Sequence, residues 1–179
     1  LNQPVAGTPL AWLGGGDAAA FRDTMETIRE NYPPAAFYGA MNFLGTHDTA
    51  RILTLLGAAQ TPEDKPARAA YRLSPDELAQ GQRKLRLAGM LLYTFPGSPT
   101  LYYGDEAGMQ GFEDPLNRGT YPWGQEDEAL LAFFRQLGQL RSQRPSLRRG
   151  DIRYLYAQGG GLVIERRCGD ERTVTAMNA

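Results

Sequence analysis

The chain has little of the chemistry that cysteine and histidine provide. Its 179 residues include one cysteine, Cys168, and one histidine, His47. A single cysteine rules out an intramolecular disulfide, and one residue of each type leaves no His/Cys cluster for zinc. We therefore expect no metal or other cofactor held by this chain. Low cysteine usage also fits a reducing compartment, so we expect a cytoplasmic protein.

An excess of charge of one sign and long apolar runs are also missing. There are 19 Lys and Arg residues against 20 Asp and Glu, a net charge of -1, so no strong field attracts nucleic acid or an anionic membrane surface. The longest apolar stretch, residues 87–95, is interrupted by Gly89 and Thr94 and is too short to cross a bilayer. Because 42% of the residues are hydrophobic, the chain can bury a core. We expect a folded protein with a neutral partner.

Apolar residues at helical spacing predict several helices, two of which have clear start signals. Asp17 precedes a helix that runs to Asn31, and Ser74-Pro75-Asp76-Glu77 forms a capping box before a helix that runs to about Thr94. Residues 126–144 predict a third long helix, and residues 35–40 and 51–56 predict short ones. The proline-containing stretch through Pro62 and Pro66 is predicted to be a loop.

Two short apolar runs, residues 41–45 and 100–103, are predicted to be buried strands, each ending in polar residues. The alternation of helices and strands implies parallel strands joined by helical crossovers. After Gly150 the apolar period changes to two, with turns at Gly159-Gly160-Gly161 and Gly169-Asp170. We therefore predict a β/α domain over residues 1–149 and an antiparallel β domain that begins over residues 150–179.

The polar ends of the two predicted strands are the candidate functional sites, because active groups gather at the carboxyl ends of parallel strands. They carry His47-Asp48 and Asp105-Glu106. Adjacent residues of a strand point to opposite sides, so neither pair is expected to form a simple acid–base dyad. The plainer alternative is a structural histidine at His47 and a helix-capping Asp48.

A loop after the second strand adds Asp114 and Arg118, whose side chains suit sugar hydroxyls because those groups both donate and accept hydrogen bonds. A surface Asp-Pro turn beside a solvated arginine is the alternative interpretation. Aromatic residues near this loop could stack on sugar rings or could belong to the core: Tyr102, Tyr103, Tyr121 and Trp123.

Three linked motifs carry a resemblance to a known family. They are Phe-Leu-Gly-Thr-His-Asp-Thr at 43–49 followed by Arg51, Phe-Pro-Gly-Ser-Pro at 95–99 followed by Tyr-Tyr-Gly-Asp-Glu at 102–106, and Glu-Asp-Pro-Leu-Asn-Arg at 113–118. In the residues of these motifs, their order and their spacing, the chain resembles the α-amylase family of glycoside hydrolases. Within that family it is most similar to the neopullulanase, cyclomaltodextrinase and maltogenic amylase branch.

The resemblance implies a fold and roles for four residues. The fold is the last part of a (β/α)8 TIM barrel, its seventh and eighth strands with their helices, followed by the start of a small antiparallel β domain. Asp48 matches the family's third catalytic acid, which stabilises the transition state. His47 matches a sugar-binding residue of the same subsite, and Asp114 and Arg118 match residues that hold the neighbouring glucose unit. The implied partner is an α-glucan oligosaccharide or a cyclodextrin.

The same resemblance implies that two catalytic groups lie outside this sequence. The family's nucleophile follows an Arg-x-Asp pattern and its general acid is a glutamate, each at the end of an earlier strand, and neither segment occurs in this chain. We therefore expect that the chain is part of a longer enzyme and is inactive alone. Alternatives are a non-catalytic carbohydrate-binding or partner protein and a related α-glucan transferase or isomerase. The resemblance leaves open whether the longer enzyme binds calcium.

A barrel that lacks most of its strands should expose apolar surface. Open strand edges are expected at residues 43–44 and 101–102. Helix faces that would meet the rest of the barrel are expected to be uncovered at Leu85, Leu92, Phe133 and Leu137. We therefore predict self-association or binding to the remainder of the barrel.

Overall fold

The computed structural model describes the backbone of residues 3–179 and the side chains of residues 8–179. The helices are α1 Gln3–Leu13, α2 Ala18–Asn31, α3 Pro34–Tyr38, α4 Ile52–Gly57, α5 Lys65–Ala70, α6 Pro75–Thr94, α7 Glu128–Gln143 and α8 Pro145–Arg149. The strands are β1 Met41–Phe43, β2 Ser98–Thr100, β3 Asp151–Gln158, β4 Gly161–Cys168 and β5 Glu171–Asn178. The chain forms two compact units, Leu1–Asn42 with Leu87–Thr100 and Gln136–Ala179, and Phe43–Arg86 with Leu101–Arg135.

The first unit is built around aromatic packing between helices. The predicted helix from Asp17 is confirmed, because the Asp17 side chain accepts a hydrogen bond from Ala19 N at 2.9 Å and caps α2. Phe21 of α2 contacts Trp12 of α1 and Phe95, with ring centroids 6.0 Å apart in both cases. These rings are almost fully buried and form the centre of this unit's core.

The antiparallel strands at the C-terminal end form a three-stranded sheet in the order β3-β4-β5, as predicted. A register shift between Tyr154 and Tyr156 interrupts the pairing of β3 with β4. The buried guanidinium of Arg166 on β4 donates to the Gly150 and Thr94 carbonyls, the latter at 2.7 Å. Burial lowers the pKa of Arg166 to about 10, and these carbonyls compensate for part of its lost hydration.

The second unit contains the capping box that opens α6. Ser74 N donates to Glu77 Oε2 at 2.8 Å, and Glu77 N lies 3.4 Å from Ser74 Oγ, as the sequence predicts. The Tyr71 hydroxyl also donates to Glu77 at 2.5 Å. The hydrogen bond from Tyr71, followed by those that Ala59 N and Ser74 N donate to the carboxylate, lowers the pKa of Glu77 to about 2.

Three helices were not anticipated by sequence patterns. The stretch predicted as a loop contains α5, which begins after Asp64, whose side chain accepts from Ala67 N at 2.7 Å. The other two are α1 and α8, and α8 carries a proline in its first turn. Each has eleven residues or fewer, so few turns are available to show an apolar period.

The two short strands β1 and β2 pair with each other, but the second lies earlier than predicted. The strand expected at residues 100–103 is Ser98–Thr100, and a turn begins at Tyr103. The reason lies at Gly97, where φ is +107° and a Cβ atom would stand 2.5 Å from the Ala40 carbonyl oxygen. Because this glycine brings the chain against β1, pairing starts directly after it, and Ser98 N donates to Ala40 O at 2.8 Å.

The prediction that helix faces would be uncovered is wrong for three of its four residues. Leu85, Leu92 and Leu137 are 0%, 5% and 7% exposed, because neighbouring residues of the chain pack over them. Phe133 is partly exposed and its ring lies 5.7 Å from the Arg86 guanidinium. These three leucines therefore belong to buried cores rather than to uncovered helix faces.

Candidate active site

The turn that follows β1 carries the first two candidate residues. Thr46 N donates to Thr49 Oγ1 at 3.0 Å and Asp48 N donates to Thr46 Oγ1 at 3.2 Å, so threonine side chains fix the backbone of the turn. The buried side chain of Asn117 donates to His47 O at 2.9 Å and to Thr49 O at 2.7 Å. The turn is thus held both by its own side chains and by the later loop.

The structure brings together the four candidate residues, all of which belong to the second unit. His47 Nε2 lies 3.2 Å from Asp48 Oδ1, and Arg118 Nη2 lies 4.0 Å from the same oxygen. Arg118 Nε lies 2.5 Å from Asp114 Oδ1. Asp48 is therefore the meeting point of two cationic or hydrogen-bonding side chains, and Arg118 links it to a second carboxylate.

The four side chains remain accessible, with exposed fractions of 62% for His47, 74% for Asp48, 58% for Asp114 and 46% for Arg118. Exposed ion pairs of this kind contribute little to the free energy of unfolding, so stability does not explain why these four side chains cluster. Carboxylate oxygens, an imidazole and a guanidinium in reach of solvent can bind a ligand that has many hydroxyl groups.

Two expectations about this region are wrong. His47 and Asp48 were expected to point to opposite sides of a strand, but β1 ends at Phe43 and both residues lie in the following turn, where their side chains meet. The alternative role of Asp48 as a helix cap is not observed either, because Arg51 occupies the N-cap of α4 and makes no capping hydrogen bond with its side chain.

Beneath the turn lies a buried ion pair between two residues whose pairing the sequence did not predict. Arg51 Nη1 lies 3.2 Å from Asp105 Oδ1, with exposed fractions of 0% and 2%, and it also donates to the Tyr103 carbonyl. A Cβ atom at Gly45 would stand 2.9 Å from Asp105 Oδ2, so the carboxylate packs directly against the start of the turn.

Aromatic rings cover the part of Arg51 that makes no hydrogen bond. Its Nε and Nη2 atoms have no hydrogen-bond partner among the residues that the structure describes. Its guanidinium carbon lies 4.3 Å from the centre of the Tyr102 ring and 4.6 Å from that of Tyr103. These cation–π contacts compensate for part of the lost hydration.

Burial raises the pKa of Asp105 to about 7, and the Arg51 charge and hydrogen bond oppose that rise. Asp105 and Glu106 differ in environment, because Glu106 is partly exposed and lies near Tyr121, whose pKa is raised by burial and by the Glu106 charge. The motif Tyr-Tyr-Gly-Asp-Glu thus supplies a buried carboxylate for the scaffold. This motif follows a predicted buried strand, which marked Asp105 as a candidate. The sequence alone did not show on which side of the backbone the Asp105 side chain lies.

No metal site accompanies these residues in the described part of the chain, where no group of three or more His, Cys, Asp or Glu side chains is positioned to hold an ion. Among the helices of residues 3–179, none combines the length and apolar character needed to cross a membrane.

Comparison with known proteins decides the family. The family described as "Alpha amylase, catalytic domain" matches residues 16–145. The chain belongs to the α-amylase family.

Sequence relatives agree with this assignment. An amylopullulanase from Thermoanaerobacter thermohydrosulfuricus is 42% identical over 151 residues, which cover 84% of this chain and 10% of that protein. A cyclomaltodextrinase from Geobacillus thermopakistaniensis is 33% identical over 184 residues, covering 99% of this chain and 28% of that protein. The chain therefore spans between a tenth and just over a quarter of the length of these relatives. The resemblance to the cyclomaltodextrinase and neopullulanase branch is confirmed.

A solved structure confirms the fold. The ligand-free cyclic α-maltosyl-(1→6)-maltose hydrolase from Arthrobacter globiformis matches with a TM-score of 0.81 and 29% identity, over 99% of this chain and 36% of that chain. The α-amylase-family chain thus has the architecture predicted for it, the closing part of a (β/α)8 barrel followed by the start of an antiparallel β domain.

Proposed function

We propose that this chain forms one side of the active site of a retaining glycoside hydrolase that acts on α-1,4-glucans or cyclodextrins. The observation that carries the proposal is the convergence of His47 and Arg118 on one oxygen of Asp48, with Asp114 next to Arg118. Family membership supports it, and so does a relative called a cyclomaltodextrinase that matches over nearly the whole chain.

Asp48 acts in this proposal as the residue that stabilises the transition state. In retaining hydrolysis, hydrogen bonds to ring hydroxyls that strengthen as the oxocarbenium ion forms lower the barrier. The exposed carboxylate can accept those hydrogen bonds, and the nearby Arg118 keeps it oriented when water leaves the site. His47 binds the same sugar, and Asp114 with Arg118 holds the neighbouring glucose unit.

The nucleophile and the general acid come, in this proposal, from residues that lie outside this chain. Retaining glycosidases need those two carboxyl groups about 5 Å apart, one to form the glycosyl–enzyme bond and one to protonate the leaving oxygen. A site without both loses the covalent step and leaving-group protonation together. The remainder of the barrel is therefore the partner that this chain requires.

The role of Asp48 is tested in the complete enzyme by Asp48→Asn. We expect kcat/KM for maltotriose and cyclodextrin to fall by about 100-fold or more, in the range seen when one preorganised transition-state contact is removed. Asp170→Asn is a matched control, since Asp170 is an exposed turn residue far along the sequence in the first unit. Equal activities of wild type and Asp48→Asn would overturn the assignment.

The proposed division of the active site is tested with the isolated chain. Incubation with maltotriose, pullulan and cyclodextrin should release no reducing sugar above the buffer value. Turnover that co-purifies with the chain and is abolished by Asp48→Asn would show that these residues are sufficient and would contradict the proposal.

A further inference from the structure

The two tryptophans of the chain lie in opposite environments. Trp12 is 1% exposed and belongs to the core of the first unit, whereas Trp123, in the second unit, is 81% exposed. Leaving a side chain of this size in water forgoes a large burial energy. Single exposed apolar residues are common, so exposure alone does not show a role. The surroundings of Trp123 distinguish it from an incidental surface residue.

Trp123 is supported by a second aromatic ring. The Tyr121 ring centre lies 4.5 Å from that of Trp123, with a 50° angle between the planes. Trp123 N also donates to Tyr121 O at 2.9 Å, which folds the backbone between them. Ring packing and this turn restrict the motion of the indole before any ligand binds, so little entropy is lost on binding.

The loop that carries Trp123 is fixed at both ends within the second unit. On one side the Tyr103 hydroxyl donates to Gly119 O at 2.8 Å, directly after Arg118. On the other, Asp127 N donates to Ala107 O at 3.0 Å. Trp123 follows Arg118 by five residues, a span of at most about 18 Å even when fully extended. The Cα atom of Trp123 therefore lies within about 18 Å of that of Arg118, in the same unit as the candidate sugar-binding residues.

We propose that Trp123, supported by Tyr121, is a stacking platform for a glucose unit of a longer α-glucan, beyond the units held by Asp114 and Arg118. The proposal rests on the proposed function. The indole presents a flat apolar face, which matches the C–H face of a pyranose ring. Such a platform contributes only when the substrate is long enough to reach it. It therefore determines preference for chain length rather than the rate of the chemical step.

Kinetics of the complete enzyme test the platform, with maltotriose as the short substrate and maltoheptaose as the long one. Trp123→Ala should lower kcat/KM for maltoheptaose about three- to tenfold and leave that for maltotriose within twofold, since the lost contact is one aromatic stacking interaction. Trp123→Phe should restore most of the difference, because it keeps an aromatic face. Tyr32→Ala is a matched control, as Tyr32 is an aromatic residue 52% exposed in the first unit.

The outcomes separate this inference from the proposed function. If Asp48→Asn removes activity but Trp123→Ala affects both substrates equally or neither, the platform is wrong and the proposed function stands. If Asp48→Asn has no effect on either substrate, the proposed function fails first. Burial of Trp123 by another part of the complete protein would also overturn the platform. Acrylamide quenching of tryptophan fluorescence tests this. If Trp123 is buried in the complete protein, Trp123→Phe should not reduce the fluorescence that acrylamide quenches, and maltoheptaose should not reduce the quenching.

Discussion

Two layers of the second unit carry the same residue types in opposite environments. The surface layer, His47, Asp48, Asp114 and Arg118, is 46–74% exposed and is linked by ion pairs. The buried layer, Arg51, Asp105 and Asn117, is at most 2% exposed and is linked to the carbonyls of Tyr103, His47 and Thr49. Both layers contain a carboxylate paired with an arginine. Under the proposed function, the exposed set contacts the substrate and the buried set holds the backbone that carries it.

The environment determines what each pair contributes. A solvent-exposed ion pair contributes little to the stability of the fold, so the residues of the surface layer can serve substrate binding instead. A buried pair depends on both partners, since removing either one leaves a charge without compensation. We therefore expect changes in the surface layer to alter activity and changes in the buried layer to alter stability.

The largest expected effect is that of Asp105→Ala. The change leaves the Arg51 guanidinium buried without its carboxylate, and we expect the free energy of unfolding at pH 8 to fall by about 3–5 kcal/mol. Denaturant unfolding followed by circular dichroism measures it, with Asp170→Ala as the control for loss of an exposed aspartate. A loss below about 1 kcal/mol would mean that the tyrosine rings and the Tyr103 carbonyl alone satisfy Arg51, and the two layers would not differ as described.

Much of this arrangement follows from sequence patterns, and the rest depends on packing. The capping box at Ser74 and the Asp17 cap define helix starts locally, because the relevant hydrogen bonds span two or three residues. The family motifs marked Asp48 and Arg118 as candidates, and their side chains lie 4.0 Å apart. The burial of Asp105 was not predictable, since adjacent residues in a turn have no fixed alternation and only the close contact at Gly45 determines which carboxylate faces inward.

The pH dependence of stability sharpens the comparison, because the buried carboxylate has a raised pKa. Asp105 has a folded-state pKa of about 7 against an ordinary value near 3.9, so the folded state binds its proton more tightly. The stabilisation that comes from protonating Asp105 in the folded state is therefore complete below about pH 4 and is lost as the pH rises through about 7. The ion pair with Arg51, which Asp105→Ala removes, is present above that pH. The slope is at most about 1.4 kcal/mol per pH unit.

Asp105→Asn isolates that slope from other titrations. Glu77, whose pKa is lowered to about 2, acts in the opposite direction by losing its contribution as the pH falls from about 4 to 2. The quantity to compare is the free energy of unfolding of wild type minus that of Asp105→Asn at several pH values. A difference that stays constant between pH 4 and 8 would show that Arg51 keeps Asp105 ionised throughout this range.

Asn117→Ala should have an intermediate effect that involves both layers. Its amide donates to the His47 and Thr49 carbonyls, so removal leaves these acceptors without their buried donor and should cost about 1–3 kcal/mol. Because these bonds hold the turn that contains Asp48, kcat of the complete enzyme should also fall. Asn178→Ala, an exposed amide on β5, is the control. Loss of stability without loss of activity would mean that the turn keeps its geometry through Thr46 and Thr49 alone.

The smallest expected effect on stability is that of Asp48→Asn, the change with the largest expected effect on activity. Asp48 is 74% exposed, and its contacts with His47 at 3.2 Å and Arg118 at 4.0 Å are surface ion pairs. Each such pair contributes at most about 1 kcal/mol and commonly much less, so the free energy of unfolding should change by less than about 0.5 kcal/mol. Asparagine keeps the shape of the side chain and can still accept a hydrogen bond from His47. Side-by-side unfolding of Asp48→Asn and Asp105→Asn at pH 8 measures the contrast directly. If Asp48→Asn destabilised the chain as much as Asp105→Asn, Asp48 would be part of the scaffold, and its loss of activity would no longer indicate contact with the sugar.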